Sequence, residues 1–477
     1  MTREAMLSRV RDRREPWDMI VIGGGATGAG VALDAAARGY EVLLVERGDF
    51  GQGTSSRSTK LVHGGVRYLE QGNISLVMEA LKERGRLRRN APQFVHDLAF
   101  VVPNYDWWET PFYGLGLKLY DLLAGRYGFG GSHVLSRAET LDRIPTLRTE
   151  GLRGGVVYHD GQFDDARLLI HILLTAVDRD ATVLNYVGAT GFLRGADGFI
   201  EGITARDAET GETFRCPGRV VVNAGGPFCD EVRRLAEPGV APLIAPSQGI
   251  HLVFDRRFLP GDAAIMVPHT SDGRVMFAIP WLGKTLVGTT DTPIPEAVAE
   301  PRAREEEIAF LLGTAGRYLA HAPSREDIRS VFVGIRPLVR SGAATNTAAL
   351  SRDHTMHIDQ NGLLTITGGK WTTYRRMAED CVDQAATLAR LPERACSTVN
   401  LAIHEDTGDD PVRQMARTVE DVLARRRRTL FLDARAAIGE APAVAADLAR
   451  QLDRPPGWAE AQTEDFVRLA AGYLPPP

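Results

Sequence analysis

The segment DMIVIGGGATGAGVALDAAARGYEVLLVE, residues 18–46, decides the fold of this chain. It begins with a short apolar run that ends in glycines, continues through an alanine-rich stretch, and closes with a second apolar run. This order predicts a buried strand, a helix and a second buried strand. Gly23, Gly25 and Gly28 stand in G-x-G-x-x-G register at the first turn, and Glu46 ends the second strand.

The residues of this β-α-β unit indicate a dinucleotide-binding site. Glycines let the backbone turn tightly and approach a pyrophosphate, and the helix N-terminus supplies N–H donors and a positive dipole end. Glu46 is placed to accept hydrogen bonds from a ribose diol. A lone G-x-G-x-x-G is often no more than a tight turn, but the strand, helix and acid around this one favour dinucleotide binding.

Composition and charge narrow the class of protein. Of 477 residues, 44% are hydrophobic and 25% charged, which is typical of a globular protein of two or three domains. The net charge of −5 argues against a protein that coats nucleic acid. Four cysteines without a C-x-x-C pair predict reduced thiols in a cytoplasmic protein and no metal site. The first 17 residues lack the apolar core of a signal peptide. The sequence also contains no apolar run long enough to predict a membrane-spanning helix.

The nucleotide-binding domain is predicted to be discontinuous. An NAD domain usually continues directly with further β-α units, whereas a hydroxyl-rich stretch, TSSRST, follows here at residues 54–59. Strand-like segments with glycines return only at 181–194, 218–228 and 362–389. This arrangement favours an α/β, two-domain FAD-dependent oxidoreductase, in which a discontinuous Rossmann-like FAD domain is joined to a substrate domain built on an antiparallel sheet.

Three regions are predicted from this pattern. The FAD-binding domain comprises 18–71, 151–234 and 341–395; the substrate or cap domain comprises 72–150 and 235–340; and a shortened helical C-terminal domain comprises 396–477. The runs IHLVFD, RVMFAIPW and KTLVGTTDT supply the expected antiparallel strands of the substrate domain. The C-terminal region is rich in charge, and its run Arg425–Arg428 is predicted to be a solvated helix face rather than a contact for anionic lipid or nucleic acid.

Several long motifs in order resemble one family, the FAD-dependent glycerol-3-phosphate dehydrogenases, and lie closer to its mitochondrial-type members. The motifs are IGGGATGAGVALDAAARG (22–39), TSSRSTKLVHGGVRYLE (54–70), YDWWETPFYGLGLKLYDLLAG (105–125), SDGRVMFAIPW, GTTDTPI, GIRPLV and GGKWTTYRRMA (368–378). The resemblance implies oxidation of sn-glycerol 3-phosphate to dihydroxyacetone phosphate, with hydride transfer to flavin N5 and electrons passed to a quinone. Two departures are visible: the middle of the C-terminal domain looks deleted, and no calcium-binding loop of the D-x-[DN]-x-[DN]-G type occurs.

The resemblance also implies which residues bind FAD. Small hydroxyls in the TSSRST stretch would satisfy pyrophosphate and ribityl oxygens, although a solvated loop is the usual explanation of such a run. The glycine pair that follows would let the isoalloxazine lie against the backbone. The expected cofactor-binding residues are Gly23, Gly25, Thr27, Gly28, Glu46, Arg47, Thr54, Ser55, Ser56, Ser58, Leu61, Gly64, Gly65, Val187, Ala224, Gly225, Gly369, Lys370, Trp371 and Thr372.

Oxidation of a phosphorylated secondary alcohol requires a base for the hydroxyl proton and cations for the phosphate. The resemblance places His251 in the active site, where it is the candidate base; a hydrogen-bonded structural histidine is the alternative. Arg336 and Lys370 are the other catalytic candidates. A surface ion pair is the alternative for the arginine, and a solvent-facing position is the alternative for the lysine. The expected substrate-binding residues are Arg67, Tyr68, Arg336, Arg352, Lys370 and Thr373.

Residues 105–129 hold eight aromatic side chains, with Leu115, Leu119 and Leu122 at the spacing of an amphipathic helix. Packing between domains is one explanation. The other is an interfacial helix that gives a quinone access to the flavin at the inner face of the membrane, although few basic residues accompany it. The resemblance leaves open this peripheral membrane contact and a homodimer.

Three other functions compete with the dehydrogenase. A glycerol-3-phosphate oxidase would use O₂ on the same substrate, and a related FAD enzyme would oxidise a hydroxy or amino acid. A flavin-binding remnant without catalytic activity belongs to a different class. Four candidate cations favour a phosphorylated substrate over an unphosphorylated one, and these are Arg67, Arg336, Arg352 and Lys370.

Overall fold

The computed structural model describes residues 2–66, 69, 73–270, 273–340, 353–405, 408 and 410–476. The strands of these residues are numbered in chain order. They are β1 Met19–Ile22, β2 Val42–Val45, β3 Leu61–Val62, β4 Val95–Asn104, β5 His133–Ser136, β6 Gly154–Phe163, β7 Thr182–Leu184, β8 Val187–Arg194, β9 Ile200–Asp207, β10 Thr213–Pro217, β11 Val221–Asn223, β12 Ile244–Asp255, β13 Ala264–Val267, β14 Met276–Trp281, β15 Lys284–Gly288, β16 Thr292–Pro293, β17 Ser330–Val339, β18 His354–Ile358 and β19 Leu364–Gly368.

The α-helices of the same residues are numbered in the same way. They are α1 Arg3–Asp12, α2 Ala26–Ala37, α3 Ile74–Asn90, α4 Glu109–Ala124, α5 Arg137–Arg143, α6 Asp165–Val177, α7 Cys229–Ala236, α8 Glu305–Tyr318, α9 Tyr374–Leu388, α10 Thr429–Leu432, α11 Ala434–Gln451 and α12 Trp458–Ala470. A π-helical turn, Asp421–Arg426, precedes α10.

The first sheet is built around the opening β-α-β unit. Its strand order is β18-β19-β11-β1-β2-β7, with all pairs parallel except β18 and β19. Every residue of β1 and β2 is buried, because helices cover a parallel sheet and its strands read as continuous apolar runs. Helix α2 packs between α6 and α9. The predicted strand, helix and strand of residues 18–46 are confirmed.

The larger sheet follows the order β16-β12-β15-β14-β13-β4-β6-β3, with β17 added on β12 and β5 on β6. Its pairs are antiparallel except β13 with β4. Alternate residues of its strands face two separate apolar cores. Phe332 belongs to the core shared with α4 and the C-terminal helices, while Val331 and Val333 belong to the core shared with α8. The predicted two-domain α/β architecture with an antiparallel second sheet is confirmed.

Strand β6 lies in a different sheet from the one that the domain boundary at residue 151 implied. That boundary placed residues 154–163 with the nucleotide-binding segments, but β6 pairs along its whole length with β4 of the larger sheet. The apolar pattern of a strand predicts burial without naming its partner. The division of the chain into three domains otherwise stays a prediction.

The C-terminal region is helical, as predicted, but its arginine run is not a solvated face. Arg425, Arg426 and Arg428 are buried, whereas Arg427 is exposed. The buried arginines pair with carboxylates from residues early in the chain, including Asp49 and Asp165. The prediction was wrong because a charge run is solvated only when the fold offers it no buried anions.

Candidate active site

A cavity of about 430 Å³ opens where four parallel strands of the first sheet end. The residues that follow β1, β2, β11 and β19 all contribute to its wall, which is the position of ligand crevices in open α/β sheets. The lining contains twelve residues that the sequence analysis assigned to the cofactor, and these are Gly23, Gly25, Thr27, Glu46, Arg47, Thr54, Ser55, Ala224, Gly225, Gly369, Lys370 and Trp371.

The glycine turn at the edge of this cavity is packed too closely to accept side chains. A Cβ on Gly28 would lie 1.9 Å from the carbonyl oxygen of Gly23, and a Cβ on Gly23 would lie 2.5 Å from the carbonyl oxygen of Ala224. Gly23 also has φ +114°, a backbone conformation that residues other than glycine rarely adopt. The turn thereby brings bare backbone to the cavity beside the N-terminus of α2, as pyrophosphate binding requires.

Glu46 organises the backbone on the other side of the turn. Its Oε2 accepts a hydrogen bond from the amide of Gly24 at 2.7 Å, and its Oε1 accepts one from the amide of Gly48 at 2.9 Å. Burial raises the pKa of this carboxyl, and the two amide bonds oppose that shift. Each carboxylate oxygen can accept a further hydrogen bond, so the site fits the ribose hydroxyls of a dinucleotide.

The hydroxyl-rich stretch and the GGKWTT motif meet across the cavity. Ser55 Oγ accepts from the amide of Ala26 at 2.9 Å, which places a hydroxyl at the start of α2. The indole of Trp371 donates to the carbonyl of Ser55 at 2.9 Å. Thr372 Oγ1 accepts from the amide of His63 at 3.3 Å. Ser55 and Trp371 both line the cavity, so two segments more than 300 residues apart in sequence contribute to its wall.

Eight other residues assigned to the cofactor do not line this cavity. Gly28 lies beneath the turn, Ser58 donates to Asp165 at 2.7 Å, and Gly64 donates its amide to the hydroxyl of Tyr120 at 2.8 Å. The eight are Gly28, Ser56, Ser58, Leu61, Gly64, Gly65, Val187 and Thr372. A direct contact between these residues and the cofactor stays a prediction.

His251 lies on β12 with its ring inside the protein. Its Nε2 is 2.9 Å from the hydroxyl of Thr59, and its ring stacks on Phe332 with a centroid distance of 4.8 Å. Burial, followed by the positive charges of Lys60 and Arg336, holds the pKa of His251 well below its ordinary value. The imidazole is therefore neutral at pH 7.

Arg336 points to the same face of the larger sheet as His251. Strand β17 pairs with β12 so that Phe332 faces His251 and Arg336 faces Ser247. The guanidinium lies across Gly249, where a Cβ would come within 2.4 Å of Nη2. Its Nη1 contacts Asp291 at 3.2 Å, and its Nη2 donates to the carbonyl of Thr290 at 3.0 Å. The glycine thus lets a cation extend along the sheet toward the histidine.

The remaining substrate candidates divide into two groups. Lys370 lies on the cavity wall, as does Pro337, the residue after Arg336. Thr373 is buried, and its hydroxyl donates to the carbonyl of Lys370 at 3.2 Å. Arg67, Tyr68 and Arg352 lie outside the described residues.

Sequence reasoning missed two residues next to the histidine. Lys60 is fully buried, and its Nζ donates to Asp165 at 2.7 Å. Burial lowers the pKa of Lys60 to about 7, even though Asp165 opposes that shift. Thr59 was read only as part of a hydroxyl-rich run. A basic residue between hydroxyls and an apolar strand was the available signal for Lys60, but no local pattern connects Thr59 with His251.

Helix α4 packs one side against the protein interior and exposes the other side to solvent. Tyr113, Leu117 and Tyr120 are buried, while Leu115 and Leu122 are 77% and 76% exposed. Trp107, Trp108, Phe112 and Leu119 add exposed apolar surface. Packing between domains therefore does not explain the three leucines. Among the described residues, no helix is long and apolar enough to cross a membrane.

The fold and the cavity define a class of protein. Residues 18–375 match the family model described as FAD dependent oxidoreductase, so the chain belongs to this family. The prediction of FAD as the cofactor is thereby confirmed, and the glycine turn, Glu46 and the cavity fit that group.

The curated relatives that this chain matches include mitochondrial glycerol-3-phosphate dehydrogenases. The chain is 45% identical to the mitochondrial glycerol-3-phosphate dehydrogenase of Arabidopsis thaliana over 83% of its own length and 65% of the relative's. It is 42% identical to that of Mus musculus over 84% of its own length and 57% of the relative's. The chain therefore spans about three fifths of these curated relatives. The predicted resemblance to the family is confirmed.

Solved structures agree with this grouping. The glycerol-3-phosphate dehydrogenase of Bacillus halodurans, solved in complex with FAD, superposes with a TM-score of 0.81 at 28% identity. That match covers 99% of this chain and 98% of the other. A glycine oxidase from Geobacillus kaustophilus superposes with a TM-score of 0.58 at 20% identity, which shows a shared fold alone.

Proposed function

We propose that this protein is an FAD-dependent glycerol-3-phosphate dehydrogenase that oxidises sn-glycerol 3-phosphate to dihydroxyacetone phosphate and passes the electrons to a quinone. The observation that carries the proposal is the placement of a buried, neutral His251 and of Arg336 on one face of the larger sheet, while Lys370 and Pro337, the residue after Arg336, line the cavity. A base and two cations are what a phosphorylated secondary alcohol requires. The names of the relatives point to the same substrate.

His251 is the proposed base for the substrate hydroxyl. For Nδ1 to accept a proton, Nε2–H must donate to the hydroxyl of Thr59, and the 2.9 Å separation allows that tautomer. Nδ1 is buried and has no hydrogen-bond partner within the described part of the chain. The stacked ring of Phe332 keeps the imidazole plane in position. These contacts orient the nitrogen that takes the proton.

Arg336 and Lys370 are the proposed phosphate ligands, together with Arg67 and Arg352. Arg336 is held on one side by Asp291 and Thr290, which fixes the plane of its guanidinium. A planar guanidinium can donate two parallel hydrogen bonds to a phosphate, and a lysine adds a compact charge. A buried dianion without such cations would be very costly to desolvate.

FAD, when bound, would supply the acceptor for the hydride that leaves the carbinol carbon. The chain contributes the geometry around that event. The hydrogen bonds of Trp371 to Ser55 and of His63 to Thr372 hold the GGKWTT motif against the segment that leads to the glycine pair. Such fixed contacts would keep the cofactor and the substrate in one relative orientation.

The exposed face of α4 supports a peripheral membrane contact and access for a quinone. Tyr120, on the buried face, accepts from the amide of Gly64, within the glycine pair assigned to the flavin ring. One helix about 10 Å thick thus separates that pair from the exposed leucines of α4. An apolar face of this kind suits a lipid surface and an apolar electron acceptor.

Steady-state turnover with a soluble quinone analogue tests the proposed function. We expect reduction of the analogue with sn-glycerol 3-phosphate and none with glycerol, lactate or glycine. Activity with glycine or lactate instead would contradict the phosphate assignment. Formation of hydrogen peroxide at a rate matching substrate loss would identify an oxidase.

A further inference from the structure

The arginine run 425–428 lies inside the protein. Arg425, Arg426 and Arg428 each keep about 1% of their surface exposed. Burying three guanidinium groups is very costly unless carboxylates pair with them and complete their hydrogen bonds. Their partners therefore reveal which part of the protein this run holds in place.

Asp49 is the carboxylate that binds two of these arginines. Arg426 donates to both of its oxygens, to Oδ1 at 2.9 Å, and Arg425 donates to Oδ2 through Nε. Asn185 donates to Oδ1 at 3.2 Å. Burial alone would raise the pKa of Asp49, but the charges of Arg426 and Arg425 hold it below its ordinary value. Asp49 is therefore a charged anchor at neutral pH.

Arg428 contacts the chain at residue 56, seven residues after Asp49, and also contacts a carboxylate at the start of α6. It donates to Asp165 Oδ1 at 2.8 Å and to the carbonyl of Ser56 at 3.1 Å. The other oxygen of Asp165 accepts from Lys60 Nζ and from the hydroxyl of Ser58, both at 2.7 Å. One carboxylate thus connects Arg428 with both Ser58 and Lys60.

Residues 46–60, which we call the flavin loop, therefore have contacts on two sides. Residues 46, 47 and 51–55 line the cavity. Asp49 and the group at residues 56–60 face the arginines. Apart from the short 3₁₀ turn Thr54–Ser56, the loop contains no helix or strand. Side-chain contacts must therefore hold its shape, because no backbone ladder does so.

We propose that Arg425, Arg426 and Arg428 are positioning residues that pre-organise the flavin loop for FAD binding. None of the three lines the cavity, so they act through the loop. A loop already held in its binding conformation loses less conformational entropy when the ligand binds, and affinity rises accordingly. The inference rests on FAD occupying the cavity and does not depend on which substrate is oxidised.

The test measures FAD release from the purified holoenzyme. Holoenzyme is diluted into flavin-free buffer, and free FAD fluorescence gives the dissociation constant for wild type, Asp49→Asn and Arg426→Lys. Asp34→Asn is the matched control, because it weakens a buried ion pair with Arg38 at the C-terminal end of α2, and no side-chain contact within the described part of the chain joins Asp34 to the flavin loop. Circular dichroism and the melting temperature of each variant report folding separately.

We expect the FAD dissociation constant of Asp49→Asn to rise at least tenfold, with Arg426→Lys between it and wild type. Asp34→Asn should lower the melting temperature and leave the dissociation constant within twofold of wild type. Amide exchange of residues 46–60 should quicken in Asp49→Asn and not in Asp34→Asn.

Equal dissociation constants in all folded variants would overturn the proposal. If Asp49→Asn does not fold, Arg426→Lys decides alone, because it keeps the charge and loses the two-pronged contact. A wild-type protein that cannot be loaded with FAD would instead refute the cofactor assignment, which is a separate failure.

Discussion

Replacing Gly28 by alanine perturbs the nucleotide turn at its tightest point. The added methyl would lie 1.9 Å from the carbonyl oxygen of Gly23 and 3.4 Å from the Cβ of Ala224. A Cβ atom and an oxygen atom that are not bonded to each other essentially never lie closer than 3.0 Å. The start of α2 and the glycine turn must therefore separate by about 1 Å in a core that is packed as densely as a crystal.

The size of the effect follows from that displacement. Overpacking of one methyl in a closely packed site costs about 1–3 kcal/mol. Because the clash involves the turn that approaches the pyrophosphate, we expect most of this strain to appear as weaker FAD binding. A cost of that size corresponds to an FAD dissociation constant that is about 5- to 150-fold higher.

Fluorescence titration of FAD against Gly28→Ala measures this change directly. Gly439→Ala is the control, since its methyl meets nothing within 4 Å on α11. A helix-interior glycine replaced by alanine should stabilise the fold by about 0.5–1 kcal/mol, with FAD affinity unchanged. If Gly28→Ala bound FAD as tightly as wild type, the reasoning from close backbone packing would be refuted.

Three further predictions concern the chemistry and the exposed helix. His251→Asn should retain FAD but slow its reduction by sn-glycerol 3-phosphate about 100- to 10,000-fold, as measured by stopped-flow absorbance. In the wild type, the depressed pKa of His251 keeps the base neutral, so the rate of flavin reduction should fall only when the pH drops below 6.5; a decline already at pH 7.5 would contradict this. The double change Leu115→Ser and Leu122→Ser should reduce sedimentation with liposomes about tenfold or more without changing turnover of a soluble acceptor, whereas Phe199→Ser, which alters an exposed residue elsewhere, should change neither.

Local patterns account for the parts of the fold that were predicted correctly. The strand, helix and strand of residues 18–46 depend on apolar periodicity and glycines within 29 neighbouring positions, and the structure places them within a residue or two. The partner of a strand is a long-range property. The domain range 151–234 therefore grouped residues 154–163 with the nucleotide-binding segments, although β6 pairs with β4 of the larger sheet.

The same difference between local patterns and long-range contacts applies to the residues of the candidate site. Residues that belong to a contiguous motif, such as Glu46 and Lys370, were found from sequence and line the cavity. Residues that act through distant contacts were not. Asp49 and Arg425 are 376 positions apart, and neither has a neighbouring pattern that names the other. The arginine run looked solvated because its anions come from the opposite end of the chain.

Anaerobic titration of the holoenzyme with sn-glycerol 3-phosphate tests the central claim most directly. We expect the flavin absorbance to bleach in proportion to added substrate, with one equivalent reducing one FAD, and to stay unchanged with glycerol. Bleaching by glycerol or by an amino acid, but not by the phosphate ester, would contradict the assignment of Arg336 and Lys370 as phosphate ligands. A flavin that stays oxidised with sn-glycerol 3-phosphate would contradict the proposed activity itself.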